Sequence, residues 1–317
     1  MGILRSEISA GVKVRFELAA GVHNIASELN FDDSVLASEV SIVGDEGAVI
    51  LLPLTSVRRQ LSNSDDVLGA AIRLSKPLTI QLQGVALLGS ASAFGVAAVV
   101  VECGQFTMHN CTVRNVQGTR ALHANGGSST ILSSLFEANL AGAIVATAGG
   151  RLHIGSSALV NNSAAKGGAL AVKGNLTEVA LVATLIARNS AKEQGGGLHV
   201  AEGNVVLANN TLLEKNTAPD GAAMHLSGGT TACKRIRHLN TRGVRGVHHL
   251  SADLPFHCTC LTRRATSPIG PLGQHGRREG SAKRARRPNH VCDTTHVEKA
   301  FLSYVLPVGR RLHTGTL

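Results

Sequence analysis

The sequence predicts an all-β chain: a right-handed parallel β-helix, a solenoid of short strands, followed by a disordered basic C-terminal tail. Three observations predict it. One asparagine recurs at Asn139, Asn162, Asn189 and Asn216, at intervals of 23, 27 and 27 residues. Short apolar segments between these marks alternate, as in Leu170-Ala-Val172, Leu198-His-Val200 and Met224-His-Leu226. Glycine, asparagine and serine fill the gaps. A fixed period of this size indicates stacked units that cannot bury their apolar faces alone. Alternation is the period of a strand, and no segment has the 3.6-residue periodicity of a repeated helix. The expected unit is strand, turn, strand, turn in about 25 residues. Successive coils then stack about 4.8 Å apart.

Residues 1–70 are expected to form the first coils and part of a cap, because GVKVRFELAAGVHN and EVSIVGDEGAVILL show short strands broken by Gly, Asn and Asp. The first residues show no basic stretch leading into a long apolar segment, so no signal peptide is expected in this chain. The uncharged run GVALLGSASAFGVAAVVV, residues 84–101, could be misread as a membrane span. Its Ser, Ala and Gly centre reads instead as a loop between two buried strands, and no transmembrane span is expected.

Residues 75–231 carry the clear repeats. CTVRNV places Val116 at the ladder position, 23 residues before Asn139. Asparagines at one point of successive coils are expected to stack and hydrogen-bond along the axis as a ladder. Glycines at 142, 167–168, 195–197 and 221 mark sharp bends where positive φ is expected.

Residues 232–317 differ in character. They hold 16 of the 31 Lys and Arg but only four acids, for a net +12, against 15 basic and 17 acidic residues before them. The segment reads as a disordered, solvated tail. RREGSAKRARR, residues 277–287, resembles a nuclear-import or nucleic-acid-binding signal and makes nucleic-acid binding through the tail an alternative function. It would bind phosphate through charge alone, with no interleaved aromatics for base stacking, so nucleic acid is not the expected partner. Cys258, Cys260, Cys292 and His296 do not have the spacing of a zinc knuckle, and no cofactor is expected.

FEAN at 136–139 with AGAI, and KGGAL at 166–170 after LVNN, resemble the FxxN and GGA(I/L/V) pair of chlamydial polymorphic outer-membrane protein repeats. NCTVRNV at 110–116 is similar to a form found in related right-handed β-helix proteins of pectin-lyase-like fold. The resemblance covers roughly residues 75–231 and implies a surface or secreted protein that acts in adhesion. Extracellular or cell-surface placement is the expectation it carries. The C-terminal segment lacks the alternating strands and aromatic girdles of a membrane β-barrel.

The enzyme alternative within such folds is a polysaccharide lyase or hydrolase. Hydrolysis needs two carboxylates about 5–9.5 Å apart. Residues 104–231 contain only Glu137, Glu178, Glu193, Glu202, Glu214 and Asp220. Glu137 and Glu214 share a repeat position but stand three coils apart, about 14 Å. Catalytic residues are therefore not expected, and the expected partner is a protein or glycan on a cell surface. The poverty of aromatics, with no Trp and one Tyr, favours a protein over a sugar-stacking platform.

Histidine is the remaining candidate chemistry. His199 and His225 each follow a core-facing residue, so both are expected to point outward, stacked about 5 Å apart on adjacent coils, with His123 in the same column. They are the candidate metal ligands, but a site needs a third donor. The expected state is two exposed histidines. Four glycosylation sequons begin at Asn110, Asn161, Asn175 and Asn209.

Overall fold

The computed structural model describes residues 11–53, apart from Ala26, Asp33, Ser34 and Leu36, together with residues 69–239 and 256–260. The chain divides into two units, residues 1–266 and 267–317; the second lies outside the described residues. The first unit is a parallel β-solenoid. Each regular coil has three strands rather than the expected two, and so presents three faces. In one coil they are Arg151–Gly155, Ala158–Val160 and Leu170–Val172. The strand that the two-strand template leaves out is the second, Ala158–Val160, which is only three residues long and runs straight into the bend at Asn161.

Strands pair in parallel and in register with the coils on either side. Arg151–Gly155 lies between Ser128–Leu132 and Glu178–Val182. The third face runs through eight strands, from Leu29–Phe31 to Met224–Leu226. The uncharged run at 84–101 becomes strands Ala86–Leu88 and Val96–Val101 joined through a single 3₁₀ turn. Among the described residues no helix is long and apolar enough to cross a membrane.

In most coils one left-handed residue makes each sharp bend; after Asn204–Ala208 both Asn209 and Asn210 are left-handed. Between the first two faces, Ser133, Ser156 and Ala183 take φ of 48°, 48° and 50°. After the second face, Ala138, Asn161, Arg188 and Lys215 take φ of 53°, 55°, 54° and 52°. A left-handed residue other than glycine costs about 1 kcal/mol. The residue that follows each bend points inward and bonds to the next coil.

After the second bend that residue is the recurring asparagine. Asn139 Nδ2 donates to Asn162 Oδ1 at 2.9 Å, Asn162 Nδ2 to Asn189 Oδ1 at 3.0 Å, and Asn189 Nδ2 to Asn216 Oδ1 at 3.1 Å. Each Oδ1 also accepts the backbone N–H of the preceding coil's asparagine. Val116 ends the column, its N–H donating to Asn139 Oδ1. All four asparagines are buried, so the ladder satisfies backbone groups that the bend leaves without strand partners.

The interior is largely apolar, and its inward columns mix residue types, as in Ile80, Phe106, Ser129 and Leu152. Phe106, Met108, Ile131, Phe136, Ile154, Leu181 and Leu213 contribute to one continuous core. The repeat does not stop at 231: Thr230–Leu239 pairs with Asn204–Leu207 on the first face and with Leu212–Glu214 on the second, and Phe256–Cys260 pairs with it in turn. The expected tail boundary is therefore crossed by solenoid backbone. The basic run at 277–287, Cys292 and His296 lie outside the described residues.

Candidate functional site

Two regions of the solenoid carry polar chemistry. The first is the outward side of the first face. Parallel register aligns Thr79, Gln105, Ser128 and Arg151 in one column, and Gln81, Thr107, Thr130 and His153 in the next. Gln83 and His109 stand in a third column, between Val43 on one side and Leu132 and Gly155 on the other. Across three coils this gives an uncharged lattice of hydroxyls and amides at the strand spacing of about 4.8 Å. Beside it runs a surface groove of about 510 Å³, lined by Thr79, Gln105, Ser128 and Arg151 and by the glycines 104, 127 and 149. The glycine edge is steric. A Cβ on Gly104 would stand 2.5 Å from Leu78 O, and one on Gly127 would stand 2.5 Å from Gly104 O. Arg151 at the groove's end pairs with Glu178 at 3.3 Å.

The second region is the outer side of the third face. Its middle positions run Val100, His123, Val145, Ala171, His199, His225 in register. Every one is buried. The expected exposure of His199 and His225 is thus overturned, although they do point away from the main core. The reason is a further layer. After Asn162 and Asn189 the chain forms an outer arc, Ser163–Lys166 in one coil and Ser190–Gln194 in the next, and these pair in parallel. Bridges Ser190 to Thr217 and Gln194 to Asp220 continue the layer. Gly195 and Gly221, at φ of 63° and 58°, fold the arc back against the third face. A Cβ on Gly195 would stand 2.3 Å from Leu198 O, and one on Gly221 would stand 2.9 Å from His225 Cβ.

The imidazoles of His199 and His225 stack with centroids 5.3 Å apart and planes 6° from parallel. His225 Nε2 lies 3.3 Å from Asp220 Oδ2. Burial pushes the His199 pKa down to about 4, helped by His225, Lys166, Arg120 and Lys173. His153, half-buried on the first face, is also shifted downward by burial. Further along the same outer side, His123 Nε2 is 2.9 Å from Thr119 Oγ1. Asp220 is the carboxylate that comes nearest to the pair, but among the described residues no three His, Cys, Asp or Glu converge on a metal position. Parallel rings 5.3 Å apart, next to lysine and arginine, are a poor fit to the tetrahedral ligand geometry of zinc.

Two elements of this architecture escaped the sequence reading. Arg120 is fully buried and donates to Ile144 O at 3.2 Å, to Gly167 O at 2.8 Å and to Lys166 O, tying three successive coils' worth of chain together. Gly142 leaves it room, since a Cβ there would stand 2.4 Å from the guanidinium. A hydroxyl ladder also runs down the first bend. Cys111 N donates to Ser134 Oγ at 3.1 Å, Ser134 N to Ser157 Oγ at 3.1 Å, and Thr184 N to Thr211 Oγ1 at 3.4 Å. Its members stand five residues before Val116 and each ladder asparagine, so the same period could have found them.

The remaining candidate residues fall apart in space. Glu137 and Glu214 occupy one outward column of the second face with Val160 and Ala187 between them. The four sequon asparagines, 110, 161, 175 and 209, are all exposed, in contrast to the buried ladder. Two Asp-Asp pairs occur nearer the N-terminus, at 32–33 and 65–66: Asp32 sits just after Leu29–Phe31, and Asp33, Asp65 and Asp66 lie outside the described residues. Comparison with family models, with curated proteins and with solved structures gave no match, so what places this chain is its architecture, a three-faced parallel β-solenoid.

Proposed function

We propose that this protein is a non-catalytic surface or secreted scaffold that binds an extended protein or glycan partner along its first face. One observation carries the reading: the uncharged lattice from Thr79 to Thr130, with its flanking groove, repeats along the solenoid axis. An extended partner lying on it meets hydrogen-bonding groups at each coil. The separation of Glu137 from Glu214 supports a binding role over a hydrolytic one, because paired acid–base work requires close carboxylates. The four exposed sequon asparagines are compatible with passage through a secretory route.

The test is binding of the purified full chain to intact cells, read by flow cytometry, against a variant carrying Gln81→Lys and Thr107→Lys. Both side chains point outward, so folding should be retained, which circular dichroism checks. Binding should fall at least about tenfold, the scale of one lost polar contact set. Equal binding by the variant would remove the first face from the reading. Release of new sugar ends from polygalacturonate by the unmodified chain would overturn the non-catalytic assignment.

A further inference from the structure

The third face offers Val100, Val145 and Ala171 at three of its covered middle positions, then places two imidazoles at the C-terminal coils. We propose that the stacked His199–His225 pair and the arc that covers it form an acid-labile clasp, in which protonation releases the arc at residues 217–221 from the outer side of these coils while the ladder-bonded coils remain folded.

The surroundings set the direction. From the coil beneath, Ala171 packs under His199, and Lys173 follows it in the chain. The arcs supply Lys166, held 3.5 Å from Glu193, and Asp220, held 3.3 Å from His225. Arg120 reaches the same layer through the carbonyls of residues 166 and 167. A proton on His199 therefore arrives beside His225, Lys166, Arg120 and Lys173, all of which carry or can acquire positive charge. His199 Nδ1 and Asp220 Oδ1 are sealed from solvent without a hydrogen-bond partner among the described residues. Opening the arc restores water to both.

The closed state holds the His199 pKa near 4, while an opened, hydrated imidazole has about 6.5. Between those values the open state binds more protons, so the clasp is fully stable above about pH 6.5 and weakens as pH falls toward 4. For His199 alone, the opening equilibrium should rise roughly thirtyfold between pH 7.5 and pH 5. The ladder asparagines do not titrate and hold their bonds through this range, which confines the response to the clasp.

Hydrogen exchange of the full chain, corrected for the intrinsic pH dependence of exchange, tests this on amides of residues 191–226. Protection should drop by the stated factor in the wild type and in His153→Gln, and stay level in His199→Gln. A drop that persists unchanged in His199→Gln would assign it to carboxylates and overturn the proposal. Should that variant fail to fold at neutral pH, NMR titration of the wild-type imidazoles decides. A His199 midpoint well below the ordinary value supports the clasp, and a midpoint near 6.5 sinks it.

Discussion

Four side-chain hydrogen bonds meet at Asn162. Its Oδ1 accepts from Asn139 N and Nδ2 at 3.1 and 2.9 Å, and its Nδ2 donates to Phe136 O and Asn189 Oδ1, both at 3.0 Å. All are buried, so truncation leaves donors and acceptors without water. Asn162→Ala should cost about 3 kcal/mol in urea unfolding, the range of a broken buried network. Its neighbour Asn161 is exposed and serves the chain through its φ of 55°. Asn161→Gly supplies that conformation freely and should change stability by no more than about 0.5 kcal/mol. A similar loss in both variants would mean that the ladder contributes no more than the bend. The bend shows what separates two adjacent asparagines, one turned outward and one inward. Both are equally good turn residues, and recurrence alone distinguishes the second.

At the scale of the element, strand and bend do different work. Phe136 projects from the three-residue strand Leu135–Glu137 into the main core at 0% exposure. Phe136→Ala should therefore cost about 3–5 kcal/mol, measured by denaturant midpoint at constant slope. The arc glycines hold the outer layer instead. Gly195→Ala combines a left-handed φ with a Cβ 2.3 Å from Leu198 O, which the backbone cannot yield cheaply. Gly47, at φ of 85° with nothing within 4 Å of its would-be Cβ, carries the conformational strain alone. Gly47→Ala should cost about 1 kcal/mol; Gly195→Ala should cost clearly more, with the excess appearing as lost exchange protection in residues 191–200. Equal thermal shifts for the two would show that the arc is not packed against the third face. These elements were legible to different degrees. The alternation in Leu198-His-Val200 tells which side of the strand each residue takes. It does not tell that a second layer covers the outward side, because that layer is built from a segment whose own composition, SAKEQ, reads as solvated loop.

For the whole molecule, each coil is bonded mainly to the coils beside it, so stability propagates through nearest-neighbour interfaces. Every strand pairing in the solenoid is parallel and joins residues more than twenty apart in sequence. Contacts of that separation close large loops before they stabilise anything. Refolding from urea should accordingly be slow, on a timescale of seconds or longer, rather than the milliseconds typical of local-contact folds. Stopped-flow refolding with a millisecond main phase would contradict this. The same stacking gives the molecule its long outward columns, on which the binding reading rests.

By itself the sequence determined what is local and periodic: a solenoid with a period of 23 to 27 residues, the left-handed glycines 142, 167, 195 and 221, and asparagines in equivalent places. Those follow because turn chemistry and strand alternation are written within a few residues. The hydroxyls of Ser134, Ser157, Thr184 and Thr211 share that period but not a residue type, and the bonds Ser134 N–H to Ser157 Oγ and Thr184 N–H to Thr211 Oγ1 show what the recurrence is for. The second strand of each coil, the burial of His199 and His225, the approach of Asp220 and the burial of Arg120 were decided by tertiary structure. Burial is a property of what packs against a residue from elsewhere in the chain. Here that is the outer arc of the same and neighbouring coils, whose position no alternation along a single strand can encode.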